Sequence, residues 1–353
     1  VGGCAQYWLE PSTFSGMQAA VNYCRDRNIP VHVIGRGSNI IVRDGGLRGA
    51  AIHPSGGEFD VLEIQGNRLT AGAGVRLKKL VSTAVQNGLG GLEWMDGIPG
   101  NVGGSLRMNA GAMGMDMVKN LVSVTCLDED GEIRSHTREE LNAQYRSIPD
   151  LVHNFVLQAV FEAQPAPAEE MERLLEAARA RRKLSQPVGA SAGCIFKNPP
   201  EIPAGRLIDE LGLKGACVGD ACVSDVHANF IINRGHARAR DITILIDMIR
   251  KEAMENRGID LKSEAQVIGD REPSFNPFII YFNMSTLARP QDCPPPWRPR
   301  SGTGSIPCFR QLRLRRPVPG RIHRCNEGGR ARPGFPAAGR HGAGLQHYPR
   351  HFR

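Results

Sequence analysis

The sequence predicts an α+β protein with a folded body over residues 1–270 and a tail that does not fold by itself. Three observations predict it. Short apolar runs bounded by glycine turns alternate with amphipathic helical stretches. Glycines crowd two places, Gly35 to Gly37 and Gly97 to Gly114, where the backbone must bend sharply or approach a ligand closely. Composition then changes abruptly at Arg271.

In order along the chain, residues 15–27 read as a helix, and apolar runs at 31–34, 39–42 and 50–53 read as strands. Turns at Gly35 to Gly37 and at Asp44-Gly45-Gly46 separate those runs. Leu77, Leu80, Val81, Ala84 and Val85 form one apolar face, so residues 77–86 are predicted as a helix with Gly88 as its stop. The glycine segment follows, without an acidic residue between Asp96 and Asp116. That suits backbone N–H groups turned toward a phosphate. Strands are predicted at 121–127 and 155–161, with Glu129-Asp130-Gly131 as a turn.

Pro165-Ala166-Pro167 reads as a linker. Beyond it the sequence predicts helices at 168–184, 205–211 and 239–256, and strands near 194–197 and 229–232. Ile242, Leu245, Ile246, Ile249 and Ala253 line one side of the last helix. The expected division is 1–75 and 76–167 as two lobes, 168–270 as a second α+β domain, and 271–353 as tail.

The net charge of +8 belongs to that tail. From Arg271 onward there are 15 arginines, no lysine and three acidic residues, Glu272, Asp292 and Glu327, with 13 of the 24 prolines. The body is left mildly acidic. Such a tail cannot bury enough surface to offset chain entropy, so disorder is expected. A flexible extension or out-of-frame translation is preferred over a nucleic-acid-binding arm. Cys4, Cys24, Cys126, Cys194, Cys217 and Cys222 show no metal-finger spacing and are expected as free thiols, which fits a reducing cytoplasm. No acidic or histidine cluster suggests a metal. No apolar run reaches a membrane-spanning length of about 18 residues, and no signal peptide is read.

Seven motifs then occur in order: Gly35-Arg36-Gly37-Ser38-Asn39, Gly97-Ile98-Pro99-Gly100, Gly103-Gly104, Met108-Asn109-Ala110-Gly111, Tyr145-Arg146, Gly193-Cys194-Ile195-Phe196-Lys197-Asn198-Pro199, and His227-Ala228-Asn229-Phe230. Together they resemble the UDP-N-acetylenolpyruvoylglucosamine reductases, in their shorter subtype, over residues 1–270. The resemblance implies a two-lobed FAD-binding domain of the vanillyl-alcohol-oxidase (PCMH) type, followed by a substrate domain. It implies FAD contacts at Gly35, Gly37, Ser38, Asn39, Gly97, Ile98, Pro99, Gly100, Gly104 and Ala110. Ser38 and Asn39 could donate side-chain hydrogen bonds to a pyrophosphate.

The implied reaction completes UDP-N-acetylmuramate for peptidoglycan. NADPH reduces FAD, hydride passes to C3 of the enolpyruvyl ether, and a proton goes to C2. Arg146 is the candidate cation for the substrate carboxylate, because a guanidinium grips a carboxylate bidentately and keeps its charge. Cys194 stands where the family has a proton-donating serine, and a thiol is a stronger acid than a hydroxyl. Glu264, in Leu261-Lys262-Ser263-Glu264-Ala265, is expected beside Arg146. Tyr145, Lys183, Lys197 and Asn198 are expected substrate contacts, with Asn229 and Asn233 as further polar contacts and His227 as structural. The expected partner is a small nucleotide sugar, with no membrane. Another FAD-dependent oxidase of the same fold is the nearest alternative.

Overall fold

The computed structural model describes residues 1–272 and the backbone of Tyr281–Asn283. Apart from those few residues, the Arg- and Pro-rich stretch predicted to be disordered lies outside the described residues.

Residues 1–75 hold strand β1 (Ala5–Glu10), helix α1 (Phe14–Arg25), and strands β2 (Val31–Val33), β3 (Ile40–Val42) and β4 (Leu47–Ile52) of the first lobe, then β5 (Leu62–Gln65) and β6 (Arg68–Gly72), which join the sheet of the second. Thr13 starts α1 by accepting the Gly16 N–H at 3.0 Å, which satisfies one of the orphan donors of the first turn. Helix α2 (Leu77–Gln86) coincides with the predicted helix, and Leu77, Leu80, Val81 and Ala84 are buried on its apolar face. Strand β7 (Leu89–Gly90) follows, then helix α3 (Val102–Arg107).

The sequence does not announce α3, because its Val-Gly-Gly start has poor helix propensity. Burial decides instead: Val102 and Leu106, four residues apart, are both fully buried. Gly103 packs where a Cβ would lie 2.9 Å from the Ala73 Cβ.

Strands β8 (Gly111–Ala112) and β9 (Met115–Asp116) form a hairpin. Strands β10 (Leu121–Leu127), β11 (Ile133–Thr137) and β12 (Phe155–Glu162) complete the second lobe. Ahead of the third segment, strand β13 (Gln164–Pro165) pairs with β7, so the Pro165 linker begins as a short strand. Helix α4 (Ala168–Ser185), helix α5 (Ala204–Glu210), strands β14 (Cys217–Val218), β15 (Ala221–Val223) and β16 (Ile231–Asn233), helix α6 (Ala239–Arg257), and strands β17 (Gln266–Ile268) and β18 (Tyr281–Asn283) follow.

The strands arrange as a parallel sheet in the order β18-β1-β4-β2 and an antiparallel sheet in the order β11-β10-β12-β6-β5, with the smaller antiparallel sheet β14-β15-β16. Strand β17 pairs in parallel with β3, so the end of the third segment returns to the first lobe. One apolar core runs from Met17 to Leu175; a second gathers residues of the third segment together with Ile41 of β3. The faces of α2 and α6 predicted to be apolar are the faces these cores bury.

Two expectations are corrected here. Residues 194–197 do not form a strand: Cys194 bridges only Phe230, and Phe196 only Ser263. The Asn229 side chain takes both Phe196 backbone groups, accepting its N–H at 2.9 Å and donating to its carbonyl at 2.8 Å, so no ladder can extend there. Cys217 and Cys222 are not free thiols but a disulfide. A turn at Gly219, φ +55°, folds β14 onto β15 and sets the two cysteines opposite each other, a juxtaposition that sequence spacing does not encode. Cys24, Cys126 and Cys194 form no disulfide.

Candidate active site

The two glycine clusters meet. Ser38 Oγ donates to the Pro99 carbonyl at 2.6 Å, and Gly100 lies where a Cβ would come 3.7 Å from Ser38 Oγ. At Gly37 and Gly104 an added Cβ would meet nothing within 4 Å, so both face open space. Asn101, 7 % exposed, lies in the second cluster and faces the first: its Nδ2 is 3.9 Å from the ideal Cβ position on Gly35. Its Oδ1 is buried with no hydrogen-bond partner. A buried acceptor without a donor is costly, and a ligand rich in hydroxyls and amine donors would relieve it. The cradle therefore fits FAD, whose ribityl chain and adenine offer such donors.

Against this cradle the third segment brings Gly193, φ +74°, where a Cβ would sit 4.0 Å from the Ser38 carbonyl oxygen. Cys194 follows. The Ile195 carbonyl accepts the Glu264 N–H at 2.8 Å, and Lys197 N–H reaches the Lys262 carbonyl at 2.8 Å. The Cys194 segment and the Glu264 segment thus run side by side.

Arg146 comes from the second lobe. It occupies the third position of a tight turn from Gln144 to Ser147, at φ +55°. A non-glycine residue in the left-handed region costs roughly 1–2 kcal/mol. Arg146 Nε donates to Glu264 Oε1 at 3.2 Å, and its Nη2 to the Gly111 carbonyl at 2.8 Å. The guanidinium also lies over the Tyr145 ring, 5.1 Å from its centre. Both members of the Arg146–Glu264 pair are largely buried, at 19 % and 13 % exposed.

Burial raises the Glu264 carboxyl above its usual range, opposed by the Arg146 charge and hydrogen bond and by Lys197. Burial, reinforced by Glu264, pushes the Cys194 thiol up to about 12 despite Arg146. Cys194 is thus held as a neutral thiol beside a cation and a carboxylate.

The structure brings together Arg146, Cys194 and Glu264, and sets them beside Ser38 and Asn39. Asn39 and Ser38 differ from expectation in one respect. Asn39 Nδ2 donates to the Glu264 carbonyl at 3.0 Å and Ser38 donates to Pro99, so both side chains bond protein groups. Asn198 Oδ1 caps α5 by accepting the Ala204 N–H at 3.0 Å, and Lys183 is exposed on α4. It is the neighbouring Arg182 that reaches Gly97, with its Cδ 3.4 Å from the ideal Cβ position there. Asn229 and Asn233 serve the fold: Asn229 is 2 % exposed and clamps Phe196, and Asn233 Oδ1 accepts the Gly235 and Ala237 N–H groups. His227 is structural, with Nδ1 accepting the Asn229 N–H at 3.2 Å and its ring edge-on to Phe230.

Sequence reasoning missed Arg250, which reaches from α6 to the Leu261 carbonyl and to Ser263 Oγ and so braces the stretch carrying Glu264. It also missed the pair of hydrogen bonds by which Arg179 of α4 holds Asp96, at 2.9 and 3.2 Å, just ahead of Gly97. A charged residue next to a motif is the signal that could have found the second; the first has none at the level of sequence. Among the described residues there is no cluster suited to a metal ion and no helix long and apolar enough to cross a membrane.

A glycine cradle shared by two lobes, with a cation from the second lobe and closed by a third segment carrying an acid and a thiol, defines a FAD-dependent oxidoreductase with its own substrate domain. Residues 5–137 match the family described as FAD binding domain, and residues 184–268 match the family described as UDP-N-acetylenolpyruvoylglucosamine reductase, C-terminal domain. The chain is 41 % identical over 273 residues to the UDP-N-acetylenolpyruvoylglucosamine reductase of Heliobacterium modesticaldum, covering 76 % of this chain and 87 % of that protein. It is 37 % identical over 272 residues to that of Clostridium novyi, covering 76 % and 88 %. The crystal structure of the Thermus caldophilus enzyme superposes with a TM-score of 0.64 at 38 % identity, over 73 % of this chain and 91 % of that one. The chain belongs to the UDP-N-acetylenolpyruvoylglucosamine reductase family.

Proposed function

We infer that this chain reduces UDP-N-acetylglucosamine enolpyruvate to UDP-N-acetylmuramate, with NADPH as reductant, for peptidoglycan synthesis. The observation that carries the reading is the Arg146–Glu264 pair, formed across 118 residues of sequence beside Cys194 and the glycine cradle. FAD, when bound, supplies the redox chemistry, passing hydride from NADPH to C3 of the enolpyruvyl ether.

Gly35, Gly37, Ser38, Asn39, Gly97, Ile98, Pro99, Gly100, Gly104 and Ala110 are the proposed cofactor contacts. Arg146 holds the substrate carboxylate and answers the negative charge that spreads from C2 onto it. Cys194 gives its proton to C2, and the resulting thiolate regains one from solvent. A thiol pushed up to about 12 is fully protonated at neutral pH, as a donor must be, and is reprotonated readily afterwards. Glu264 orients Arg146 through the 3.2 Å bond and tunes the thiol beside it.

Tyr145, Lys183, Lys197 and Asn198 are proposed to contact the nucleotide sugar. The same reading puts the reaction in the cytoplasm, where nucleotide sugars and NADPH are held; the Cys217–Cys222 bond removes part of the thiol argument for that compartment. The experiment is an anaerobic absorbance titration. Flavin peaks should bleach with NADPH and return only when the enolpyruvyl nucleotide is added. Return with oxygen but not with the nucleotide would point to an oxidase instead.

A further inference from the structure

Asn109 is 1 % exposed and its backbone is left-handed, at φ +42°, a conformation that Asn tolerates better than most side chains. Every polar atom of its amide is engaged. Nδ2 donates to the Gln144 carbonyl at 3.0 Å and to Asp116 Oδ2 at 3.2 Å, and Oδ1 accepts the Val118 N–H at 3.3 Å.

Gln144 is the first residue of the turn that carries Arg146. Two residues after Asn109, the Gly111 carbonyl accepts Arg146 Nη2, and a Cβ on Gly111 would lie 2.7 Å from Arg146 Nη1. One short stretch therefore grips Arg146 twice, at the base of its turn through Asn109 and at its guanidinium through Gly111. Gln144 and Tyr145 are themselves exposed, so the turn gains little from burial at its tip. Its left-handed third residue needs support from outside the turn.

We propose that Asn109 is a positioning residue for the substrate-reducing step: it fixes the turn from Gln144 to Ser147 so that the Arg146 guanidinium is aimed at the substrate carboxylate. This rests on the reading of Arg146 as the carboxylate-holding cation. A long arginine side chain carries about 2 kcal/mol of rotamer entropy, so a cation on an unsupported turn would meet the carboxylate in few of its conformations. Asn109 does not touch the substrate. Its effect is confined to the step in which Arg146 acts.

The test uses Asn109→Gly and Asn109→Asp in the full chain, each with Arg146 intact and with Arg146→Ala. Asn109→Gly keeps the left-handed backbone free of strain and removes the side-chain bonds; Asn109→Asp keeps the shape and the acceptor for Val118 but loses both donors. Three quantities are read: the rate of flavin bleaching by NADPH, the rate of its return at saturating enolpyruvyl nucleotide, and the nucleotide affinity of the oxidised protein by calorimetry.

Bleaching should stay within about twofold of the parent, while return slows by about tenfold or more and affinity falls. With Arg146→Ala already present, the Asn109 change should add less than about twofold. An equal loss in both backgrounds, or loss of flavin or of bleaching in both variants, would overturn the proposal and mark Asn109 as a general part of the fold. Normal return in the Asn109 variants beside slow return in Arg146→Ala would overturn it too, leaving the reading of Arg146 intact. Normal return in Arg146→Ala itself would overturn that reading.

Discussion

Three residues carry the proposed chemistry, and each was legible to a different degree. Arg146 and Glu264, read alone, are charged residues among polar neighbours; only the ordered motifs around them single them out, and only the fold shows them bonded at 3.2 Å. The left-handed φ of Arg146 has no sequence signal, since arginine has no preference for it. Cys194 was legible by its departure from the family serine, but its environment was not: burial and Glu264 together push the thiol up to about 12. Cys194→Ser should keep the substrate-dependent return of flavin absorbance, and Cys194→Ala should lose it while NADPH bleaching persists. Stopped-flow spectra of the two half-reactions read both, and normal return in the Ala variant would remove the thiol from the mechanism. Glu264 adds a prediction about stability. Its carboxyl is raised in the folded protein, so the native state binds this proton more tightly than the unfolded chain does. The contribution is fully present below the unfolded carboxyl pKa of about 4.3 and is lost as pH rises through the higher folded value. Urea unfolding at acidic and neutral pH should therefore show the parent losing stability, relative to Glu264→Gln, as pH is raised.

Elements were legible where a local signal and burial agree. Helix α2 shows an apolar stripe and a glycine stop, and the fold follows both. Helix α6 ends at Gly258 in the left-handed conformation, as such a stop requires. Its start at Ala239 is the predicted one, but the cap was only partly legible: Asp241 accepts the Arg238 N–H locally, and the rest of the cap comes from far away. The two carboxylate oxygens of Asp44 accept the Ala239 and Arg240 N–H groups at 3.0 and 2.9 Å, across 195 and 196 residues. Charge-assisted bonds at a helix N-terminus make Asp44→Ala cost about 2 kcal/mol. The melting temperature should fall by roughly 4–8 °C, read by calorimetry. The β8–β9 hairpin shows the reverse case. Its two-residue turn places Met113 at φ +57° and Gly114 at φ +79°, a geometry that favours Asn-Gly. Met113 is 46 % exposed, so its side chain gains little there. Met113→Asn should stabilise the fold by about 0.5–1 kcal/mol in urea denaturation, with FAD loading unchanged. A loss of stability would show that the Met113 side chain is held by contacts outweighing its backbone strain.

At the scale of the whole molecule, the body is tied together by returns of the chain that no local pattern encodes. Strand β17 pairs with β3, Asp44 caps α6, Asn39 holds the Glu264 carbonyl, and Asp270 exchanges backbone bonds with Gly45 and Gly46, so the first lobe and the third segment are fastened at several places. The tail raises a sharper question of where the working protein ends. The match to the family's C-terminal domain ends at residue 268, and composition changes at Arg271. By sequence alone, a cut at 271 should then change little. The fold moves that boundary: the backbone of β18 (Tyr281–Asn283) pairs in parallel with β1 at the edge of the first lobe's sheet. Two truncations separate the readings. A chain ending at residue 290 keeps β18 and should load FAD and complete both half-reactions within about twofold of the full chain. A chain ending at residue 272 exposes the β1 edge and should melt lower or aggregate, since an unpaired edge strand offers its backbone to other chains. Equal behaviour of the two would return the boundary to Arg271. Loss of turnover in the longer one would assign the arginine-rich segment a part in the enzyme. Nucleic-acid binding by the full chain, with affinity falling steeply as salt rises, would give that segment the separate role its charge permits.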